Sequence, residues 1–106
     1  MPEQENILKQ LVIEKLHTVY DPEIPVDIWE LGLIYDIEFP KTSEVLVRMT
    51  LTAPGCPIAD EIVQQVHDAV KEIEGIDSVT VDLVFEPAWS PDRMSEAARL
   101  ELGFNL

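Results

Sequence analysis

Along residues 4–20, Ile7, Leu8, Leu11, Val12, Leu16 and Val19 recur at three- and four-residue spacing among charged and polar neighbours, which predicts an amphipathic helix. Asp21-Pro22 ends it, because proline disfavours the helical conformation of the residue before it. Residues 21–32 hold two prolines, four acids and Trp29, and read as a structured loop. Leu33, Tyr35, Ile37 and Phe39 then alternate with Asp36 and Glu38, the pattern of a strand with one buried face. A turn at residues 40–43 leads to Val45, Val47, Met49 and Leu51, alternating with Arg48, Thr50 and Thr52, so a second strand returns as a hairpin.

Residues 53–57, Ala-Pro-Gly-Cys-Pro, break that strand. Ile58, Ile62, Val66, Ala69, Val70 and Ile73 define a second helix, stopped by Gly75. Val79, Val81, Leu83 and Phe85 mark a third strand. Ser90-Pro91 reads as a cap and first turn, followed by Met94, Ala98 and Leu102 on one face of a short last helix that Gly103 closes. The order is α-β-β-α-β-α. Apolar residues fill only one set of alternating strand positions, so the fold class is α+β, a two-layer sandwich with all three helices on one sheet face. Asp36, Glu38, Arg48, Thr50, Thr80 and Asp82 are expected to face water on the other.

The 106 residues make one domain, large enough to bury a core without disulfides or a structural metal. Seven Lys and Arg stand against twenty-one Asp and Glu, a net charge of -14. Such a field repels phosphate, so neither nucleic acid nor an anionic membrane is an expected partner. No apolar run is long enough to cross a bilayer, and the first six residues are polar rather than signal-like. A cytoplasmic protein is the simplest expectation, one in which a lone thiol stays reduced.

That thiol is Cys56, the only cysteine, which excludes an internal disulfide and a zinc site built from several thiolates of one chain. Pro57 suits the first helical position, which makes Cys56 the predicted helix cap. Free N–H groups and the positive end of the helix dipole favour a thiolate there. Thr50 and Thr52 add hydroxyls nearby, and Gly55 lets the backbone approach a ligand. Against this, a free cysteine is often an inert small core residue. Asp21 and Glu23, on either side of Pro22 in a stretch whose prolines fix the backbone, form the second candidate, since two held carboxylates can bind a metal or take a proton. The plainer alternative is that Asp21 caps a turn and Glu23 is solvated.

The histidines are weaker candidates. His67 follows Cys56 by eleven residues on the same predicted helix, roughly 16 Å away at the helical rise per residue, too far to act as its base. His17 lies off the apolar stripe and is expected to be exposed. Arg48 is expected to pair with Asp36 or Asp82 across the open sheet face; Arg93 is less easily dismissed, with ordinary helix-end surface as its plainer reading. No phosphate loop, dinucleotide fingerprint or nucleophilic serine motif occurs in the chain.

Asp21-Pro22-Glu23-Ile24-Pro25-Val26-Asp27-Ile28, Leu31-Gly32-Leu33-Ile34-Tyr35, Met49-Thr50-Leu51-Thr52 and Gly55-Cys56-Pro57 together resemble the metal–sulfur cluster assembly factor family. Its members include SufT-like proteins, the PaaD-like proteins of phenylacetate degradation, and a small subunit of eukaryotic cytosolic iron–sulfur targeting. The stretch from Phe85 to Ser95 resembles the family's carboxy-terminal signature, so the resemblance runs from about Ile7 to Gly103. It implies the α-β-β-α-β core of the iron–sulfur cluster assembly domain. It also implies Cys56 as the functional thiol and a possible metal ligand, with Asp21, Glu23 and Thr52 lining its pocket. PaaD-like members carry extra cysteines near the carboxy terminus; this chain lacks them and looks like the shorter, SufT-like type.

The resemblance further implies a non-enzymatic accessory factor that delivers iron, sulfide or a preformed cluster to client apo-proteins, in company with iron–sulfur assembly proteins. Its cargo is then a transient iron–sulfur cluster or iron, with nothing tightly bound. One thiolate cannot complete a cluster's usual four ligands, so a homodimer giving one Cys56 per subunit, a persulfide, or a cluster held by the partner are open arrangements. Two alternatives stand beside it: an adaptor docking clients to the assembly machinery, or an accessory protein of an oxygenase complex. A thiol-dependent enzyme is disfavoured, because no suitable base is visible. As a predicted helix cap, Cys56 is expected to be alkylated at lower pH than an ordinary thiol. An alkylation profile with an apparent pKa at or above that of a free thiol removes the case for an activated sulfur.

Overall fold

The computed structural model describes residues 2–21, 24–52 and 59–103. Helix α1 spans Pro2–Leu16, strands β1 and β2 Ile34–Glu38 and Glu44–Met49, α2 Ala59–Lys71 and β3 Ser78–Leu83; a 3-10 turn at Pro91–Arg93 precedes α3, Glu96–Glu101. The three strands form one sheet in the order β1-β2-β3, the first pair antiparallel and the second parallel. This is the α+β arrangement expected from the pattern, with the short carboxy-terminal helix added.

Register explains the one-sided core. Ile37 lies opposite Val47, and Val47 opposite Val81; Val45 pairs with Val79 and Met49 with Leu83. These side chains share one face, and Val12 and Leu16 of α1 and Ile62, Val66 and Val70 of α2 bury against the same cluster. Helix α1 packs on α2, and α2 on β3. On the opposite face Asp36, Arg48 and Asp82 line up across the three strands. Arg48 reaches Glu38 at 2.7 Å, Asp82 at 3.2 Å and Asp36 at 3.5 Å. The hydrogen bonds to Glu38 and then Asp82 hold its guanidinium above the ordinary arginine pKa.

Several details depart from the sequence expectation. The apolar stripe of α1 is narrower than its sequence suggests, since Ile7 is 63% and Leu11 38% exposed. Residues 7, 8, 11, 12 and 13 are apolar over more than one helix face, and the core covers only one. Helix α1 also stops at Leu16, four residues before Tyr20. Thr18 turns back onto Lys15 through its N–H (3.0 Å) and its hydroxyl (2.6 Å). Val19 then accepts from the Ile28 N–H at 2.9 Å, and Tyr20 bridges to Asp27. Capture of these residues by the acidic loop outweighs their continuation as helix.

In β1, Ile34 opposes Met49 but Asp36 opposes Arg48, so Tyr35 is an extra, bulged residue. Ile34 therefore packs on the core, and Tyr35 leaves the position its alternation assigned. Thr50, expected in water, is only 1% exposed. It lies just past the end of β2, where its N–H donates to the Leu33 carbonyl at 2.9 Å and the pleat no longer governs its direction.

The last helix is also divided. Ser90 caps only the 3-10 turn, without a side-chain bond, whereas Ser95 caps α3 by accepting from the Ala98 N–H at 3.1 Å. The tertiary hydrogen bonds of that cap run to Glu30 in the acidic loop rather than to the sheet. The start of α2 expected at Pro57, and Cys56 as its cap, lie outside the described residues.

Two consequences are measurable. Gly32 has φ +78 and Gly103 φ +84, but a Cβ on Gly32 would overlap the Arg93 carbonyl while one on Gly103 would meet nothing within 4 Å. Gly103→Ala should cost about 1 kcal/mol, the left-handed backbone penalty alone. Gly32→Ala should cost more than about 2 kcal/mol in urea denaturation, since overlap is added to strain; equal losses would contradict the close approach. Arg48→Met leaves three carboxylates facing one another, so it should lower Tm by an amount that added salt largely restores. A salt-independent loss would assign the role of Arg48 to packing.

Candidate functional site

The acidic loop between α1 and β1 is irregular but closely bonded. The Asp21 Oδ1 accepts from the Ile24 N–H at 3.1 Å, and the Asp27 Oδ1 accepts from the Glu30 N–H at 3.0 Å. Both are side-chain to backbone bonds over three residues, the geometry of a helix cap used to close a turn. The Leu31 N–H donates to the Asp27 carbonyl at 3.0 Å, and the Leu33 N–H to the Ile28 carbonyl at 3.1 Å. Leu33 in turn accepts from Thr50, which ties this loop to the end of β2.

Asp21 is thus the turn cap that the plainer reading foresaw, and it is also held. It is only 7% exposed, unusual for a carboxylate, which normally stays in water unless bonded. Thr52 is half-buried three residues beyond the end of β2, two after Thr50, whose N–H ties the acidic loop to this strand end through Leu33. Cys56 follows four residues later in the chain. Cys56 and Glu23 lie outside the described residues, so of the four candidates the structure describes Asp21 and Thr52. Among the described residues, no group of three or more His, Cys, Asp or Glu side chains is arranged to hold a metal ion.

The remaining candidates have ordinary explanations. His67 is half-exposed beside Asp68, at 3.4 Å. His17 is less free than expected: its Nδ1 is 3.2 Å from the Asp27 Oδ1, and its ring centroid lies 6.0 Å from that of Trp29. Arg93 lies over the Tyr35 ring, 4.6 Å from its centroid, a cation–π contact instead of free surface. Among the described residues, larger cavities lie elsewhere. One of about 290 Å³ opens at the hairpin turn, between Leu8, Phe39, Lys41 and Gly75, and contains none of the candidate residues.

Sequence reasoning missed the supports of the loop. Asp27 and Glu30 stand in the spacing of a capping box, as do Ser95 and Ala98 in the spacing of a simple cap, and both signals are local. No local signal points to Trp89, whose indole N–H donates to the Leu31 carbonyl at 2.7 Å across 58 residues of chain.

Residues 9–83 match a family model described as iron–sulfur cluster assembly protein. An Fe–S protein maturation auxiliary factor of Porphyromonas gingivalis is 52% identical over 93 residues, covering 88% of this chain and 89% of that protein. The Fe–S protein maturation auxiliary factor SufT of Staphylococcus aureus is 40% identical over 85 residues, or 80% of this chain and 97% of the relative. The crystal structure of a domain of unknown function, DUF59, from Bacillus anthracis superposes with a TM-score of 0.87 at 34% identity, covering 94% of this chain and 95% of that one. The family match over residues 9–83 and the identity to these relatives over most of both chains place the chain in the iron–sulfur cluster assembly protein family, among its SufT-like members.

Proposed function

We propose that the protein is an accessory factor in iron–sulfur cluster assembly that hands iron, sulfide or a preformed cluster to client apo-proteins through Cys56, without catalytic turnover of its own. Relatives matched over most of their own length and named maturation auxiliary factors support the accessory role. The observation that carries the site is the buried Asp21, in a loop bonded through Leu33 to the strand end from which the chain proceeds to its only cysteine. A thiolate is a soft donor suited to iron and sulfide, whereas carboxylate and hydroxyl oxygens are harder donors. Asp21, Glu23 and Thr52 therefore complement Cys56, leaving the cargo weakly enough held to be passed on.

The cargo is transient. One cysteine supplies one of the roughly four ligands a cluster takes. The others come from a second copy of the chain, from an assembly partner or from the client, and each arrangement favours release over storage. The setting is a reducing cytoplasm, where the thiol remains available. No helix of the described residues is long and apolar enough to cross a membrane.

Cys56→Ser tests this reading, because serine caps a helix well and is close in size, while its hydroxyl stays protonated at neutral pH and replaces no soft thiolate. In cells lacking the native protein, and at matched levels of folded variant, the substitution is expected to abolish support of an iron–sulfur client enzyme. Anaerobic reconstitution with iron and sulfide should likewise load the wild type and not the variant. Full rescue by the serine protein would leave the adaptor role in place of the thiolate mechanism. Asp21→Asn adds a second decision, since the amide oxygen can still accept from the Ile24 N–H while the charge and one acceptor oxygen are lost. A loss as deep as that of Cys56→Ser assigns the carboxylate to iron; retained client activity assigns it to the turn.

A further inference from the structure

We propose that Glu30, Trp89 and Ser95 are positioning residues, which fasten the carboxy-terminal segment across the acidic loop and so hold the turn of Asp21. The inference rests on the reading of Asp21 and Cys56 as one site. It extends that site to residues beyond 83, where the family match ends.

The segment after β3 is fastened at four successive places, all within residues 30–35. The Tyr35 hydroxyl donates to the Pro87 carbonyl at 2.7 Å, and the Trp89 indole N–H to the Leu31 carbonyl at 2.7 Å. The backbone of Arg93 lies where a side chain on Gly32 would be, and its guanidinium covers the Tyr35 ring. Ser95 then bonds Glu30 twice, its N–H to the Glu30 carbonyl and its hydroxyl to the Glu30 Oε1, both at 2.8 Å. Met94 and Ala98, before and after Ser95 in the chain, are both buried.

The path from these fasteners to Asp21 is continuous. The Glu30 N–H donates to the Asp27 carboxylate, and Asp27 bridges to Tyr20, the residue before Asp21. Glu30 is thus held by Ser95 on one side while it holds Asp27 on the other. The Ser95 hydroxyl both donates to Glu30 and accepts from the Ala98 N–H, so its orientation is defined as well. A loop outside any helix or sheet gets its fixed shape from such contacts, and losing one should loosen the turn locally before it affects the core.

Glu30→Ala removes the side-chain acceptor, Glu30→Gln retains it, and Trp89→Phe removes the indole N–H while keeping a ring. Trp89→Phe carries the same readouts if Glu30→Ala does not fold. Hydrogen exchange is measured at the amides of Ile24, Glu30 and Leu31 and, for the core, at those of residues 45–49. Client maturation is measured at matched folded levels, with Cys56→Ser alongside. The expected result for Glu30→Ala and Trp89→Phe is loop exchange about three- to ten-fold faster, as for one lost hydrogen bond, with core exchange unchanged. Maturation should fall about ten-fold, the effect of removing a partner that orients a ligand group. Glu30→Gln should restore both.

Unchanged loop exchange, faster exchange with intact maturation, or loop and core loosening in parallel would each overturn the proposal. If Cys56→Ser supports full maturation, the thiol reading fails by itself. Local loosening with lost maturation in Glu30→Ala or Trp89→Phe would then still uphold the positioning role, and loosening without that loss would overturn it.

Discussion

The acidic loop is largely buried without belonging to a helix or a sheet, and its backbone polar groups have to be paired one at a time. Val26, Ile28, Leu31 and Leu33 lie in the core, so water cannot serve the peptide groups between them. Each finds a different partner: Val19 for the Ile28 N–H, Ile28 for that of Leu33, Thr50 for the Leu33 carbonyl, and Trp89 for that of Leu31. A buried peptide group left unpaired costs roughly 1–3 kcal/mol. That requirement accounts for the early end of α1, the burial of Thr50 and the return of the carboxy-terminal segment over the loop.

The sheet serves as the frame for these contacts. With one face covered by α1 and α2, its strands need only one apolar set of positions, and the other face carries charge. Arg48 among three carboxylates balances a small part of a strongly acidic surface. Cross-strand pairing on an open face stabilises register more than it stabilises the fold, since exposed ion pairs contribute little. The bulge at Tyr35 sends its phenol toward Pro87 and Arg93, so an irregularity in β1 becomes an anchor for the segment that follows β3.

The site proposed for this function lies at the junction of β2 and the acidic loop. Just past the end of β2 the Thr50 N–H leaves the sheet ladder for the Leu33 carbonyl, and its neighbour is a loop with a buried carboxylate. A factor proposed to accept and release iron or sulfide needs few ligands rather than a complete cage, and the proposed set of one soft thiolate with a few oxygen donors is of that kind.

Periodicity and local punctuation determined the element order, the one-sided sheet, the helix ends before Gly75 and Gly103 and two of the three partners of Arg48, its shortest contact, to Glu38, being the one they missed. These depend on the alternation of a strand, the turn of a helix and neighbours a few residues apart. Local punctuation also singled out Cys56 and Asp21, because a lone thiol between prolines and an Asp-Pro turn are visible in the letters. Tertiary structure decided the rest. Whether Tyr20 continues α1 or pairs with Asp27, and whether Thr50 faces water or is covered, depends on what arrives from elsewhere. The same holds for Tyr35, which the bulge moves off the core, and for Ser95, whose bond to Glu30 spans 65 residues. Local pattern fixes which face of an element is apolar, but only packing determines which distant backbone group completes a buried hydrogen bond.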